Sequence, residues 1–163
     1  NKIKDLALKV KIIQVKPGEI DNAVDGGSIN LNWLEAHKQA EIINELKPDK
    51  AIIDCPSPNC KKYTDYLKAL LNDKNVELVV EHKADFNFVF VGAASVIAKC
   101  EREKEVAELK KKYGDFGSGY LSDHYCQKFF KENFEKHHEI FRKSWAPYKN
   151  EVNGKKQKKI DEF

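Results

Sequence analysis

Two carboxylates in this chain stand where they could do chemistry. Asp54 closes a short apolar run, Ala51-Ile52-Ile53-Asp54, while Glu103 lies in a long helical stretch on the face of Val96, Cys100 and Ala107, at steps of four, three and four. Two acids brought from different elements to one sheet end make a site for hard divalent cations such as Mg²⁺ or Mn²⁺. A pair of such ions clamps the attacking water and the leaving oxygen of a phosphodiester during in-line displacement. An acid turned inward costs free energy unless a cation or a proton compensates it. The competing reading of the same spacing is plainer: Asp54 caps the next turn and Glu103 reaches solvent.

Other groups cluster nearby in the sequence. Glu81-His82-Lys83-Ala84-Asp85 leads into Gly92-Ala93-Ala94-Ser95-Val96-Ile97-Ala98-Lys99-Cys100, and Gly117-Ser118-Gly119-Tyr120 follows the helix. Glycines let a backbone approach closely, and an aromatic face at Tyr120 can exclude a misplaced ribose. Each residue also has an ordinary role open to it. Lys83 is then a solvated cation, Ser95 a group at a helix N-terminus, Lys99 a snorkelling side chain and Tyr120 a loop residue closing the core. His82 is expected to pack or bond locally rather than to catalyse.

The elements that must hold these residues follow from periodicity. Residues 9–16 (KVKIIQVK) read as a strand, and 17–21 open a short helical turn that Gly26-Gly27 stops. Asn30 caps a helix to about Lys47, with Leu31, Leu34, Ile42 and Leu46 on one side and Pro48 beyond its end. Ala51–Asp54 reads as a strand buried on both faces, its acid at the C-terminal edge where α/β sheets place ligand chemistry. A helix near 61–72 follows, with Tyr63, Leu67, Leu70 and Leu71 inward, then a strand over 76–80. By composition alone 86–91 could be another strand. A helix over 93–112 stops at Gly114, and Ser122 or Asp123 caps a last helix with Phe129, Phe130 and Phe134 facing in. Alternating strands and helices make this an α/β chain with parallel crossovers, although three strands are few for its length.

Composition bounds the class. The chain has 163 residues, 41% hydrophobic and 34% charged, which fits one soluble domain with a sizeable core. It contains no run of membrane-spanning length, so a cytoplasmic protein with no membrane partner is expected. The net charge of +3 does not by itself demand a polyanionic partner. Between Arg142 and Lys159 seven basic residues face one acid, Glu151, so 149–163 reads as a basic mobile tail, with phosphate contact as the second reading. Cys55, Cys60, Cys100 and Cys126 form no CxxC pair, and the histidines add no zinc-type spacing, so reduced structural thiols are expected rather than a disulfide or a zinc site. There is no methionine, and Asn1 is expected to follow a removed or separately supplied segment.

Taken together, EHKAD, the Gly92–Glu103 stretch and GSGY resemble type 2 ribonuclease H (ribonuclease HII) in its archaeal form, over most of residues 9–148. That resemblance implies a ribonuclease H-like mixed sheet with flanking helices. It also implies Mg²⁺- or Mn²⁺-dependent endonucleolytic cleavage of RNA in RNA–DNA hybrids, and at single ribonucleotides embedded in duplex DNA. Water attacks on the 5′ side of the ribonucleotide, leaving 3′-hydroxyl and 5′-phosphate ends. In the family, four acids hold the metals: two from a DEAGRG motif on the first strand, one ending a later strand, and one in a helix of the form AAS-IIAK-x-x-RD. Asp54 matches the third, and Glu103 the fourth, with glutamate where the family has aspartate. Lys83, Ser95 and Lys99 match positions near the nucleic-acid groove, while Gly119 and Tyr120 match the GSGY loop that registers the ribose 2′-hydroxyl. Leu121-Ser122-Asp123-His124 replaces the family's Pro-Ser-Asp-Pro, which suggests a less rigid loop. Arg142-Lys143-Ser144-Trp145 matches a basic-plus-tryptophan stretch, with Trp145 expected in the core.

DEAGRG itself is absent from the sequence. In the family's 3-2-1-4-5 sheet, residues 9–16, 51–54 and 76–81 would be strands 3, 4 and 5, leaving the two central strands missing. The expectation is therefore the larger, C-terminal piece of a split enzyme, residues 1–148 with a tail. Its heterodimer partner would be a shorter chain bearing DEAGRG. A non-catalytic nucleic-acid-binding relative is the alternative, and a scaffolding subunit acting through the basic tail is a third reading.

Overall fold

The computed structural model describes residues 2–27 and 29–161, and of 155–161 the backbone alone; Asn1 and the side chains of Lys155, Lys156, Lys158 and Lys159 lie outside the described residues. The chain divides into two compact units: residues 1–14 with 30–104, and residues 15–29 with 105–163. Each is described by itself.

The first unit is built on two parallel strands, β1 (Lys50–Asp54) and β2 (Glu77–Glu81), paired from Lys50↔Glu77 to Asp54↔Glu81. The ladder extends by a residue at each end: Glu77 N–H donates to Asp49 O and Cys55 N–H to Glu81 O, both at 2.9 Å. An isolated strand pair has little stability of its own. Helix α3 (Leu31–Leu46) and helix α4 (Cys60–Leu70) supply the apolar cover. Their ends follow the local chemistry. Asn30 Oδ1 accepts from Trp33 N–H at 3.0 Å, and Asn59 Oδ1 from Lys62 N–H at 2.9 Å, so both helices carry a side-chain N-cap. Lys47 ends α3 in the left-handed region at φ 50°, ahead of Pro48.

The core of this unit joins Ala36, Ala40 and Ile43 of α3 to Ile53, Cys55, Tyr63, Leu67, Leu71 and Val76. Tyr63 and Leu67 are wholly buried, as the helical spacing predicts. On α3 the inward stripe is Leu34, Ala36, Ala40 and Ile43; Leu31, expected there, is 41% exposed. Two small alanines let α3 lie close to α4, a packing that a count of large apolar residues misses. Of the strand Ala51–Asp54, expected to be buried on both faces, only Ile53 is fully buried.

Residues 9–16 form no strand, although their composition favours one. A strand exists only where a neighbour takes its N–H and C=O groups, and the sheet of the described residues has just β1 and β2. Where the resemblance implies a mixed sheet, the described residues form a small parallel pair. Leu6, Leu8, Val10 and Ile12 are left exposed. Leu6 ends a short helix α1 (Lys2–Leu6), which no sequence signal announces.

After β2 come α5 (Ala84–Asn87) and the long α6 (Val89–Tyr113), so residues 86–91 are helical rather than extended. Gly114, at φ 92°, ends α6 and donates to Lys110 O at 2.9 Å. The second unit also contains α2 (Pro17–Asp25), α7 (His124–Asn133), a 3-10 turn (His138–Ile140) and α8 (Ala146–Asp161). The stretch from 149, read as a mobile tail, is therefore helical through Asp161. Aromatic rings make this unit's core: Phe130 contacts Phe134, Phe141, Trp145 and Tyr148, which places Trp145 among core rings. Asp21 ties α2 to the α8 approach by accepting from Lys143 N–H and Ser144 N–H, both at 2.9 Å.

Because Leu67 is fully buried and Leu31 is not, their truncations should separate cleanly. Leu67→Ala should cost about 2–5 kcal/mol, and Leu31→Ala less than about 1 kcal/mol. Urea unfolding followed by Trp33 fluorescence in a Trp145→Phe background measures both.

Candidate functional site

Asp54 is exposed at the C-terminal end of β1, and its Oδ1 accepts from Ala84 N–H at 3.3 Å. The donor is positioned by Lys83, which turns the chain through the left-handed region (φ 58°) at the start of α5. β1, β2 and the Lys83 turn therefore fix the Asp54 carboxylate together. The Lys83 side chain is exposed.

A second acid, with no signal in the sequence, reaches this region. Glu35 of α3 has its carboxyl pushed above the usual range, first by desolvation and then by the negative charge of Asp54. The residue is exposed as a whole, yet chain packed around its carboxyl removes water from it. Glu35 Oε1 accepts from Gln39 Nε2 at 3.3 Å, and Gln39 Oε1 accepts from the Tyr63 hydroxyl at 2.9 Å. Burial, reinforced by Glu35, raises the Tyr63 phenol as well. Nineteen residues and a change from helix to strand separate Glu35 from Asp54, so no spacing rule links them.

Glu103 does not take the inward position its spacing suggested. Cys100, Glu103 and Ala107 are exposed and Val96 is 45% exposed, while Ile97 is the one residue of α6 that is fully buried. In the described residues nothing covers the Val96–Glu103 face, so its acid meets water and a neighbouring cation: Arg102 donates to Glu103 Oε1 at 3.0 Å. No hydrogen bond or ion pair joins Glu103 to Asp54. An exposed pair of this kind contributes at most about 1 kcal/mol, so the Glu103 carboxylate can turn to another cation at small cost. Ser95 is half-buried and Lys99 exposed. Ser95, Lys99 and Glu103 follow one another at steps of four, which places them along one side of α6.

Gly119 and Tyr120 belong to the second unit. There the Gly117–Tyr120 loop is tied down by two acids. Asp115 Oδ1 accepts from Gly117 N–H at 3.0 Å; Asp123, the N-cap of α7, accepts from Ser118 N–H at 2.7 Å and from Tyr125 N–H at 3.0 Å. Gly117 (φ 69°) and Gly119 (φ 74°) both occupy the left-handed region, and a Cβ on Gly117 would collide with the Asp123 carboxylate. The loop is thus held without the prolines its sequence lacks. Tyr120 is 52% exposed and does not close the core.

Beside Asp54 a different chemistry gathers. Cys55, Cys60 and His82 offer ligand atoms that all lie within 4.8 Å of one another. His82 Nδ1 lies 3.3 Å from Cys55 O and its Nε2 3.3 Å from Cys60 Sγ, so the ring bonds locally. Burial, with the neighbouring Cys60, pushes the Cys55 thiol up to about 11. All four cysteines are free thiols. Parallel pairing brings His82 next to Cys55 across 27 residues of sequence, a proximity that no sequence spacing announces. A separate cleft of about 650 Å³, lined by Asn44, Lys47, Asp49 and Asn72 among others, lies by the N-terminal ends of the strands, away from Asp54.

An acid at the C-terminal end of a parallel strand, with helices packed on the sheet, defines an α/β protein with a strand-end site. The comparisons give the family. Residues 1–148 match the Ribonuclease HII family profile, and the chain belongs to that family. It is 41% identical over 155 residues to a ribonuclease HII of Thermofilum pendens, covering 90% of this chain and 72% of the relative. With ribonuclease HII of Pyrococcus furiosus the identity is 37%, over 100% of this chain and 75% of the relative. Among solved structures, ribonuclease H2 of Pyrococcus horikoshii superposes with a TM-score of 0.80 at 33% identity, covering 92% of this chain and 71% of that one. Ribonuclease HII of Archaeoglobus fulgidus, in its complex with PCNA, gives 0.69 at 37% identity, covering 77% of this chain and 58% of that one. The chain therefore spans under two thirds of the Archaeoglobus protein. Among the described residues no helix is long and apolar enough to cross a membrane.

The loop acids predict a pH dependence. Asp123 is held below the usual carboxylate range by the Ser118 and Tyr125 N–H groups, and Asp115 by Lys110 and the Gly117 N–H. A depressed carboxyl stabilises the fold above its unfolded pKa and loses that contribution as pH falls through the folded value. The Ser118 and Tyr125 amide resonances should therefore hold steady from neutral pH down to about 5 and shift only in stronger acid. Gly117→Ala should loosen the loop by about 1–2 kcal/mol from its left-handed backbone alone, read as faster amide exchange at Ser118.

Proposed function

We propose that this chain contributes to the active site of a ribonuclease H-type endonuclease, hydrolysing RNA in RNA–DNA hybrids and at single ribonucleotides embedded in DNA. The observation that carries the reading is the placement of Asp54 at the end of β1, anchored by Ala84 N–H, within the residues 1–148 that match the family. Asp54 and Glu103 are the proposed metal ligands. The donor set fits Mg²⁺ or Mn²⁺, since both are exposed carboxylates and each has an oxygen free of the bonds described above. When bound, the ions supply charge stabilisation to the attacked phosphodiester.

The remaining roles belong to the chain itself. Lys83 and Lys99 are exposed cations suited to phosphate oxygens, and Ser95 offers a hydroxyl one turn from Lys99. Gly119 allows close backbone approach, and half-exposed Tyr120 is the ring proposed to meet a ribose at the RNA–DNA junction.

We also propose that catalysis requires a DEAGRG-bearing segment on a shorter partner chain. Exposed Leu6, Leu8, Val10 and Ile12, the coil at 9–16 and a β1 edge that no further strand of the described residues covers are the features such a segment would satisfy. It would bring two further carboxylates and strands against β1, and would give the Val96–Glu103 face something to pack on.

Isothermal titration with Mn²⁺, with and without a DEAGRG-bearing fragment, tests both statements. In the mixture a Mn²⁺ site should appear together with hybrid cleavage, and Asp54→Ala should abolish both. Cleavage of hybrid by the chain alone would sink the partner proposal. A mixture that binds hybrid but shows neither Mn²⁺ binding nor cleavage would favour a non-catalytic nucleic-acid-binding relative.

A further inference from the structure

We propose that Cys55, Cys60 and His82 form a binding site for a thiophilic divalent cation of the zinc class, distinct from the hard-cation site at the carboxylates. Three observations converge on it. The first is distance. In a tetrahedral zinc centre neighbouring sulfur ligands stand about 3.8 Å apart, and sulfur and nitrogen about 3.5 Å. Here Cys60 Sγ and His82 Nε2 are already 3.3 Å apart, and all three ligand atoms lie within 4.8 Å of one another. Closing the site thus needs a shift of about 1 Å or less.

The second observation is the histidine's outer bond. His82 Nδ1 lies 3.3 Å from Cys55 O, the backbone partner that metal-bound histidines characteristically use. Donation of Nδ1–H to that carbonyl leaves the Nε2 lone pair directed at Cys60 Sγ. The third is support from rigid elements. Cys55 is pinned to β2 by its N–H on Glu81 O, and Cys60 is the first residue of α4, whose positive end favours a thiolate. His82 directly follows β2. Binding releases the two thiol protons to solvent and leaves a fourth position for water.

Such an ion would tie together the ends of β1 and β2 and the start of α4. Cys55 follows Asp54 and His82 precedes Lys83, so the cation would act on the active region as a positioning element. The proposal is independent of the nuclease reading, because it rests on sulfur and imidazole donors alone.

Cobalt makes the test direct. The full chain, reduced and stripped of metal, is titrated anaerobically with Co²⁺ and watched for thiolate-to-cobalt charge transfer and tetrahedral d–d bands. We expect a single cobalt ion, displaced by Zn²⁺ and indifferent to excess Mg²⁺. The bands should be lost in Cys60→Ser and at least tenfold weaker in binding in His82→Gln, an exposed position whose change spares the core. They should persist in the Cys100→Ser/Cys126→Ser double variant and in Asp54→Asn. Absence of charge transfer, its survival in Cys60→Ser, or its loss in the double variant would overturn the assignment.

Discussion

The parallel register of β1 on β2 is the constraint from which the candidate sites of the first unit derive. Pairing Asp54 with Glu81, and carrying the ladder on through Cys55 N–H to Glu81 O, sets a carboxylate, two thiols, an imidazole and the Lys83 turn around one sheet end. A slip of one residue would exchange the faces of every side chain on the strand. Asp54 would then turn toward the core and Cys55 toward water. The register is held because Ile53 and Cys55 are buried against Tyr63 and Leu67, while Asp54 between them is not. Packing on one face therefore fixes chemistry on the other.

The remainder of the candidate machinery has weaker support from its own chain. Along α6 the side carrying Val96, Cys100 and Glu103 is open to solvent, so Glu103 rests on Arg102 instead of a buried partner. The GSGY loop stands differently. Its two left-handed glycines and two acid clamps shape it with bonds that are all local. Each unit thus meets its own condition: the loop acids order Gly117–Tyr120 in the second, and Glu103 in the first is left open to solvent.

Much of this was readable before any coordinates. Asn30, Pro48, Gly114 and Asp123 announce helix ends by chemistry that acts over three or four residues, and all four sit where the helices stop or start. Tyr63 and Leu67 are inward because a helix repeats every 3.6 residues. Strand 9–16 misled for the opposite reason: β propensity describes fit to a sheet, and no neighbouring strand is there to receive it. Glu35 beside Asp54 and His82 beside Cys55 were illegible because their proximity comes from crossovers, which leave no period in the sequence. The Glu103 face was misjudged because helical spacing says which residues share a side, not what lies against that side.

Placing two cation chemistries on consecutive residues raises the question of interference, and strand alternation answers it. Adjacent side chains leave a strand on opposite faces, so the Asp54 oxygens and the Cys55 sulfur diverge even though their backbones are bonded. Exposure follows that split, with Asp54 open and Cys55 buried. Ligand hardness adds a second separation. Mg²⁺ and Mn²⁺ prefer oxygen and gain little from thiolate and imidazole, whereas a zinc-class ion gains most from them. An ion bound by Cys55 would still be felt at Asp54 through the backbone they share, since fixing the Cys55 sulfur restricts the peptide that carries the carboxylate. The coupling would thus be mechanical, passing through the end of β1, rather than competition for ligands.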